Sequence, residues 1–200
     1  MREIEVFYDE RLKRYGEDVR AVGWPSIEQQ QLRFSILVDG LDLKESRTLD
    51  VGCGFGDLAG FIWKSWPNCR EYTGIDVSSA MIETARRKSC HNNNTFQHIS
   101  FEELEAYQEF DFIFMSGAMN LKTKESESKR LDTFFTKAKE VLNNKGTISA
   151  NFLSAEVDYK QDLHRHYDMK KVVATAEKLW NKVRIIRGYG LYEFTVQAKD

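Results

Sequence analysis

Two hundred residues carry 29 Lys+Arg against 31 Asp+Glu, a net charge of −2, with hydrophobic residues at 42% and charged residues at 30%. That composition excludes a disordered chain, and the near-neutral balance speaks against a surface built to neutralise nucleic-acid phosphates. A chain of this length buries roughly 70–75% of its unfolded surface and is short for two domains, so a single domain over residues 1–200 is predicted.

Cys53, Cys69 and Cys90 are odd in number and widely spaced. They suit a reducing cytosol better than a disulfide framework or a zinc knuckle. Charges from Arg2 to Arg11 interrupt any apolar leader, so no signal peptide is expected. No run of about 18 apolar residues announces a membrane helix. The expectation is a cytoplasmic protein with no membrane partner.

In chain order, Ile4, Phe7, Tyr8, Leu12, Tyr15, Val19 and Val22 recur three or four apart and predict an amphipathic helix that ends at Gly23-Trp24-Pro25. Ser26-x-x-Gln29 reads as a capping box for a second helix running towards Gly40. From Thr48 strands and helices alternate. Strands are predicted at 47–51, 71–76, 95–99, 110–116 and 146–153. Helices are predicted at 57–66, 79–88 and 127–142, with a weaker one near 102–107. This alternation implies a parallel sheet with helices on both faces. After a helix over 169–180, the β-rich runs 182–187 and 192–198 are separated by only four residues, too few for a parallel crossover, so they pair antiparallel.

The chemistry concentrates in Asp50-Val51-Gly52-Cys53-Gly54-Phe55-Gly56-Asp57, where a buried strand enters three glycines spaced two apart and then a helix. Missing side chains let a ligand approach the backbone at a helix N-terminus. Asp76 ends the next strand, 20 residues beyond Gly56, where an acid can accept from a ribose diol. A dinucleotide fingerprint would need glycine at position 57; Asp57 there would repel a pyrophosphate.

The spacing Asp50-x-Gly52-x-Gly54-x-Gly56 resembles motif I of the class I S-adenosylmethionine-dependent methyltransferases, whose cofactor has no phosphate and carries an ammonium and a sulfonium. Asp76-Val77-Ser78-Ser79-Ala80-Met81-Ile82 looks like that family's second motif and Phe110–Gly117 like its fourth-strand motif. The terminal hairpin is similar to its antiparallel seventh strand, and the look-alikes are compact bacterial or phage-type enzymes. The resemblance implies an α/β, Rossmann-like, doubly wound seven-stranded sheet, mostly parallel with an antiparallel C-terminal strand. Residues 1–40 would form a helical cover and 47–200 the cofactor-binding core. It implies S-adenosylmethionine as cofactor and S-adenosylhomocysteine as product. The backbone of Gly52, Cys53, Gly54 and Gly56 would cradle the cofactor, with Asp50 near the ammonium, Asp76 on the ribose, and Val77 and Met81 against the adenine. Relatives often carry an acid after the third strand to accept from the adenine amino group. Ser100, followed by Phe101, stands at that place here, with a turn-capping role equally open, while Glu102 and Glu103 read as exposed charges. Ser116 ends the fourth strand beside cofactor and substrate.

Methyl transfer is an in-line displacement that needs alignment more than acid chemistry, although an oxygen nucleophile often calls for a base. Substrate groups are expected beyond the strand C-termini. Asn120 is the best polar group after the fourth strand, and the loop from Asn151 to Tyr159 opens after the fifth. Tyr8, Tyr15 and Trp24 could cover the site, with Gln30 and Arg33 on one helix face. Arg33 reads either as a partner of the cofactor carboxylate or as a solvated charge. Glu193 reads as structural or pocket-facing. His164 and His166 read as a general base or substrate contact or as solvated loop residues; no third ligand stands beside them in sequence, so no metal is predicted.

The resulting expectation is a small-molecule O- or N-methyltransferase, monomeric or homodimeric, with nucleic acid disfavoured as a partner. The competing expectations are an RNA or protein methyltransferase and a non-catalytic S-adenosylmethionine-binding regulator.

Overall fold

A computed structural model describes every residue except Met1, Ala106, Gln108, Tyr159 and Gln161. Seven strands of the described residues pair into one sheet: β1 (Arg47–Val51), β2 (Glu71–Asp76), β3 (Asn94–His98), β4 (Phe110–Ser116), β5 (Leu142–Leu153), β6 (Lys182–Arg187) and β7 (Glu193–Lys199), in the order β3-β2-β1-β4-β5-β7-β6. β1 to β5 pair parallel, and β7 lies antiparallel to both β5 and β6. Only β7 is therefore reversed, because the short 188–192 connection forces a hairpin while β6 enters from a helix. The strand order moves outward from β1 to β3 and then jumps back across β1 to β4. Ligands of open α/β sheets bind at such a switch point, beyond the strand C-termini.

Helices α2 (Ile27–Leu37), α3 (Asp57–Ser65) and α4 (Ser79–Lys88) cover one face of the sheet, and α5 (Glu127–Val141) and α6 (Met169–Glu177) cover the other. Their sequences dictate the packing. In α5, Leu131, Phe134, Phe135, Ala138 and Val141 fall three or four apart and are buried as one stripe. In α3, Leu58, Ala59, Ile62 and Trp63 do the same. Phe135, Phe152, Phe194 and Trp180 build the centre of one core, with ring centroids 5.7–6.4 Å apart. At about 25 cal/mol per Å² of apolar surface, such large side chains dominate the burial energy.

Helix α1 (Arg2–Tyr15) is shorter than the periodicity predicts: Gly16, at φ +62°, stops it, and Ala21 and Val22 reach the interior from a turn. Ser26 caps α2 by accepting from Gln29 N at 3.3 Å. The weak helix near 102–107 is corrected: residues 101–103 form a turn, and Ala106 lies outside the described residues. β5 begins four residues before the predicted start, and its pairing with β4 shifts register between Phe110 and Phe112.

Candidate active site

At the C-terminal end of β1 the chain enters Gly52, Gly54 and Gly56, with φ +74°, +52° and +71°. This left-handed region is open to glycine at little cost. Close neighbours reinforce the requirement. A Cβ on Gly52 would lie 2.4 Å from Ala118 Cβ, and one on Gly54 would lie 2.8 Å from Val22 Cγ1. The loop thus threads between the segment after β4 and the N-terminal cover. Gly56 turns the other way, its would-be Cβ meeting Phe96 of β3 at 2.7 Å.

Asp76 ties this loop to the next motif. Gly54 N–H donates to Asp76 Oδ2 at 3.0 Å and Ser78 N–H to Oδ1 at 2.9 Å. Burial pushes the Asp76 carboxyl up, and those backbone donors pull it back towards the ionised form. Ser78 caps α4 by accepting from Met81 N at 3.2 Å, and its hydroxyl donates to Asp9 of α1 at 2.7 Å. Tyr8, also on α1, is held protonated: burial first, then the nearby Asp76 charge, push its pKa up to about 12.

A cavity of about 900 Å³ opens between the strand C-termini and α1 and α2. Asp50, Gly52, Cys53 and Gly54 form its floor, and Asp76, Val77 and Met81 one wall. Phe101, Met119 and Ser116 continue around it, and Trp24, Arg33, Leu153 and Glu193 stand at the far end. Asp50 is 3% exposed, and Tyr72 Oη donates to its Oδ2 at 2.6 Å. Burial pushes Asp50 up to about 7 against the pull of that bond, with Asp76 and Asp57 adding to the rise. Burial and the same acids raise the Cys53 thiol well above its usual value, leaving it an inert wall group.

Arg33 lies where neither sequence alternative put it alone. It is 6% exposed, and its Nε and Nη2 donate to Glu193 at 2.9 and 2.6 Å, while Trp24 stacks 4.0 Å from the guanidinium carbon. The solvated-charge reading is therefore corrected. Glu193 is both structural and a cavity-wall residue. Trp24 in turn fills the space that a side chain at Gly117 would need, its ring lying 2.6 Å from that would-be Cβ. A buried ion pair and an indole thus lock the N-terminal cover onto the ends of β4 and β7.

The structure brings Asn120, His164 and His166 to the same cavity, although more than 40 residues separate Asn120 from the histidines. Asn120 is buried and its Oδ1 accepts from Leu153 N at 3.3 Å. An isolated bridge between Leu121 and His164 joins the two segments. Burial lowers both imidazole pKa values from the usual 6.5, with help from His166 and Arg11 at His164 and from Lys160 and Lys122 at His166, which favours the neutral rings at pH 7. Among the described residues, no group of three or more His, Cys, Asp or Glu gathers in metal-ligating geometry.

Three expectations change. Ser100 lies outside the cavity wall, its hydroxyl donating to Glu103 Oε2 at 2.6 Å, while Glu102 is exposed as expected and also borders the cavity. Gly56 serves the packing of β3 and does not border the cavity. Tyr8 and Trp24 cover the site, but Tyr15 packs among Arg11, Arg14 and Arg20 instead. Gln30 completes the polar wall, its Nε2 donating to Asp57 at 3.1 Å, and Tyr72, fully buried behind the wall, supports Asp50. A tyrosine on the neighbouring strand, more than 20 residues from Asp50, gives no sequence signal, because only the register of β1 on β2 sets it beside that carboxylate.

Residues 48–146 match the family model described as a methyltransferase domain. Over that stretch the chain carries a methyltransferase domain. The loop fits S-adenosylmethionine on its own geometry: the left-handed glycines leave the backbone bare, and the buried Asp50 and half-buried Asp76 at the cavity would suit a cationic ligand that carries no phosphate. A malonyl-[acyl-carrier protein] O-methyltransferase from Acetivibrio thermocellus is 39% identical over 91 residues, covering 44% of this chain and 32% of that protein. The match thus spans about a third of that relative's length. Among solved structures, magnesium protoporphyrin IX methyltransferase from Synechocystis PCC 6803, with bound SAH, superposes with a TM-score of 0.72 at 14% identity, over 100% of this chain and 99% of that one. The 1,6-didemethyltoxoflavin-N1-methyltransferase from Burkholderia thailandensis gives a TM-score of 0.68 at 16% identity, covering 98% and 88%. At these identities the superpositions establish a shared fold. No helix of the described residues is long and apolar enough to cross a membrane.

Proposed function

We propose that this protein transfers a methyl group from S-adenosylmethionine to an oxygen or nitrogen of a small-molecule acceptor. The observation that carries this reading is the covered cavity of about 900 Å³ at the switch point. It is near the upper end of small-molecule sites, about 300–1,000 Å³, so a cofactor over the glycine loop leaves room for a small acceptor beside Asn120, Leu153 and Glu193. The α1 and α2 cover disfavours a duplex or a folded protein surface. The similar proteins named above include both an O- and an N-methyltransferase, which suits either acceptor atom.

When bound, the cofactor supplies an electrophilic sulfonium methyl, which the acceptor takes as the carbon–sulfur bond breaks, leaving S-adenosylhomocysteine. Asp76, with lone pairs remaining beside its two backbone donors, would hold the ribose hydroxyls. Val77 and Met81 would sandwich the adenine, and Asp50 would face the ammonium. Arg33 keeps N–H groups beyond those given to Glu193 and would meet the cofactor carboxylate. Alignment of acceptor and methyl under the cover would supply most of the rate, an effect worth roughly 7–11 kcal/mol in favourable systems. His164 or His166, as a neutral imidazole, would take the proton of an oxygen or nitrogen acceptor, and Asn120 would orient it.

The test is turnover. Incubation with S-adenosylmethionine and separate pools of small metabolites, RNA and peptides should yield S-adenosylhomocysteine with the first pool. Product with RNA or peptide alone would transfer the reading to a macromolecular acceptor, and saturable binding without turnover on any pool would make the protein a regulator. If a histidine is the base, His164→Ala or His166→Ala should lower turnover of the identified acceptor by about 10²–10⁴-fold while S-adenosylhomocysteine affinity holds. Full activity in both variants would remove them from the chemistry.

A further inference from the structure

We propose that Asp50 receives the cofactor's ammonium and gives up a proton in doing so, so that cofactor binding is linked to proton release. The inference rests on the placement of the cofactor's ammonium beside Asp50 proposed above, and what it adds to that contact is the proton linkage.

Among the described residues, no cation bonds to or pairs with Asp50. It borders the cavity from the middle of the sheet, and its neighbours across the flanking strands are Gly74 and Phe114. Among the described residues its hydrogen bond comes from Tyr72 of β2, a neutral phenol. The other titratable groups that face it are Asp76 at the end of β2, Asp57 at the start of α3 and the Cys53 thiol in the loop.

Each other carboxylate has its own compensation. Lys88 Nζ contacts Asp57 at 2.7 Å and Gln30 donates to it at 3.1 Å. Backbone N–H groups of Gly54 and Ser78 hold Asp76. Arg33, the buried cation of the same cavity, is taken up by Glu193. A buried carboxylate beside two others and without a cation is costly to ionise, so in the free protein near neutral pH Asp50 is partly protonated, consistent with its rise to about 7. An arriving ammonium reverses that balance. The carboxyl O–H bond breaks, its proton passes to solvent buffer, and the carboxylate pairs with an ammonium that keeps all its own protons. Asp50 thereby reads the amino-acid end of the ligand, and an adenosine derivative without that end gains nothing from it.

Calorimetric titration of S-adenosylhomocysteine at pH 6.5, in buffers of different ionisation enthalpy, measures the protons released. The expected value is roughly 0.5–1 per ligand, with affinity falling towards tenfold per pH unit as pH drops below about 6. 5′-Methylthioadenosine, which binds through the same ribose and lacks the ammonium, should release none. Asp50→Asn should bind S-adenosylhomocysteine without release. Should that variant fail to fold, Tyr72→Phe removes the bond that favours the ionised form, and release at pH 7.5 should exceed wild type. Zero release in the wild type, equal release with 5′-methylthioadenosine, release that persists in Asp50→Asn, or no increase in Tyr72→Phe overturns the proposal. Loss of S-adenosylhomocysteine binding by the wild type overturns the cofactor placement with it, so the two failures are distinguishable.

Discussion

Buried charge decides the behaviour of individual residues here. Glu193 and Arg33 are 5% and 6% exposed and bonded to each other. Glu193→Ala leaves the guanidinium buried without its carboxylate and should destabilise the protein by about 3–5 kcal/mol in urea denaturation. Replacing both partners by Arg33→Met and Glu193→Leu should cost less than the single change, because the desolvation penalty leaves with the charges. Asp76→Ala should weaken S-adenosylhomocysteine binding by about 1–3 kcal/mol, read by calorimetry; unchanged affinity would remove the ribose assignment. Asp50 gives a pH signature. Its folded pKa rises from 3.8 to about 7, so between those values the folded state holds a proton that the unfolded state has lost. The contribution of Asp50 to stability is therefore full below about pH 4 and declines as pH rises to about 7, by at most about 1.4 kcal/mol per unit. The same pH series on Asp50→Asn should lack that component.

Elements were legible where local rules and tertiary packing agree. α4 and β6 run over the predicted residues because Ser78 caps one and an alternating β-branched run makes the other. The 102–107 helix failed for a physical reason: Ser100 and Glu103 close a turn on each other, and the burial of Phe101 and Leu104 is not continued at Tyr107, which is exposed. The end of α1 was misplaced because periodicity continued past Gly16, whose left-handed backbone breaks the helix while leaving Val22 free to pack inward. Ser78 joins two elements at once, capping α4 and bonding Asp9 of α1. Ser78→Ala should cost about 1 kcal/mol through the lost cap. It should also release α1, which limited proteolysis would detect as faster cleavage within residues 2–25.

At the scale of the whole molecule, the cavity joins surfaces from both halves of the chain, so a ligand that fills it should stabilise the global fold. Saturating S-adenosylhomocysteine at 100 times its Kd should add about 2.7 kcal/mol to unfolding stability, and no shift in the denaturation midpoint would show that the cavity does not take it. The sequence by itself determined the sheet-and-helix alternation, the reversed last strand and the glycine loop facing Asp76, because periodicity, turn length and missing side chains are local properties that act through the backbone. Only the tertiary structure decided that Arg33 serves Glu193, that Tyr72 supports Asp50, that Ser100 turns to Glu103 and away from the cavity wall, and that Asn120, His164 and His166 line one cavity. Except for the Ser100 turn, those are side-chain encounters between segments distant in sequence, fixed by strand register and helix packing, and their energies depend on burial that no local pattern encodes.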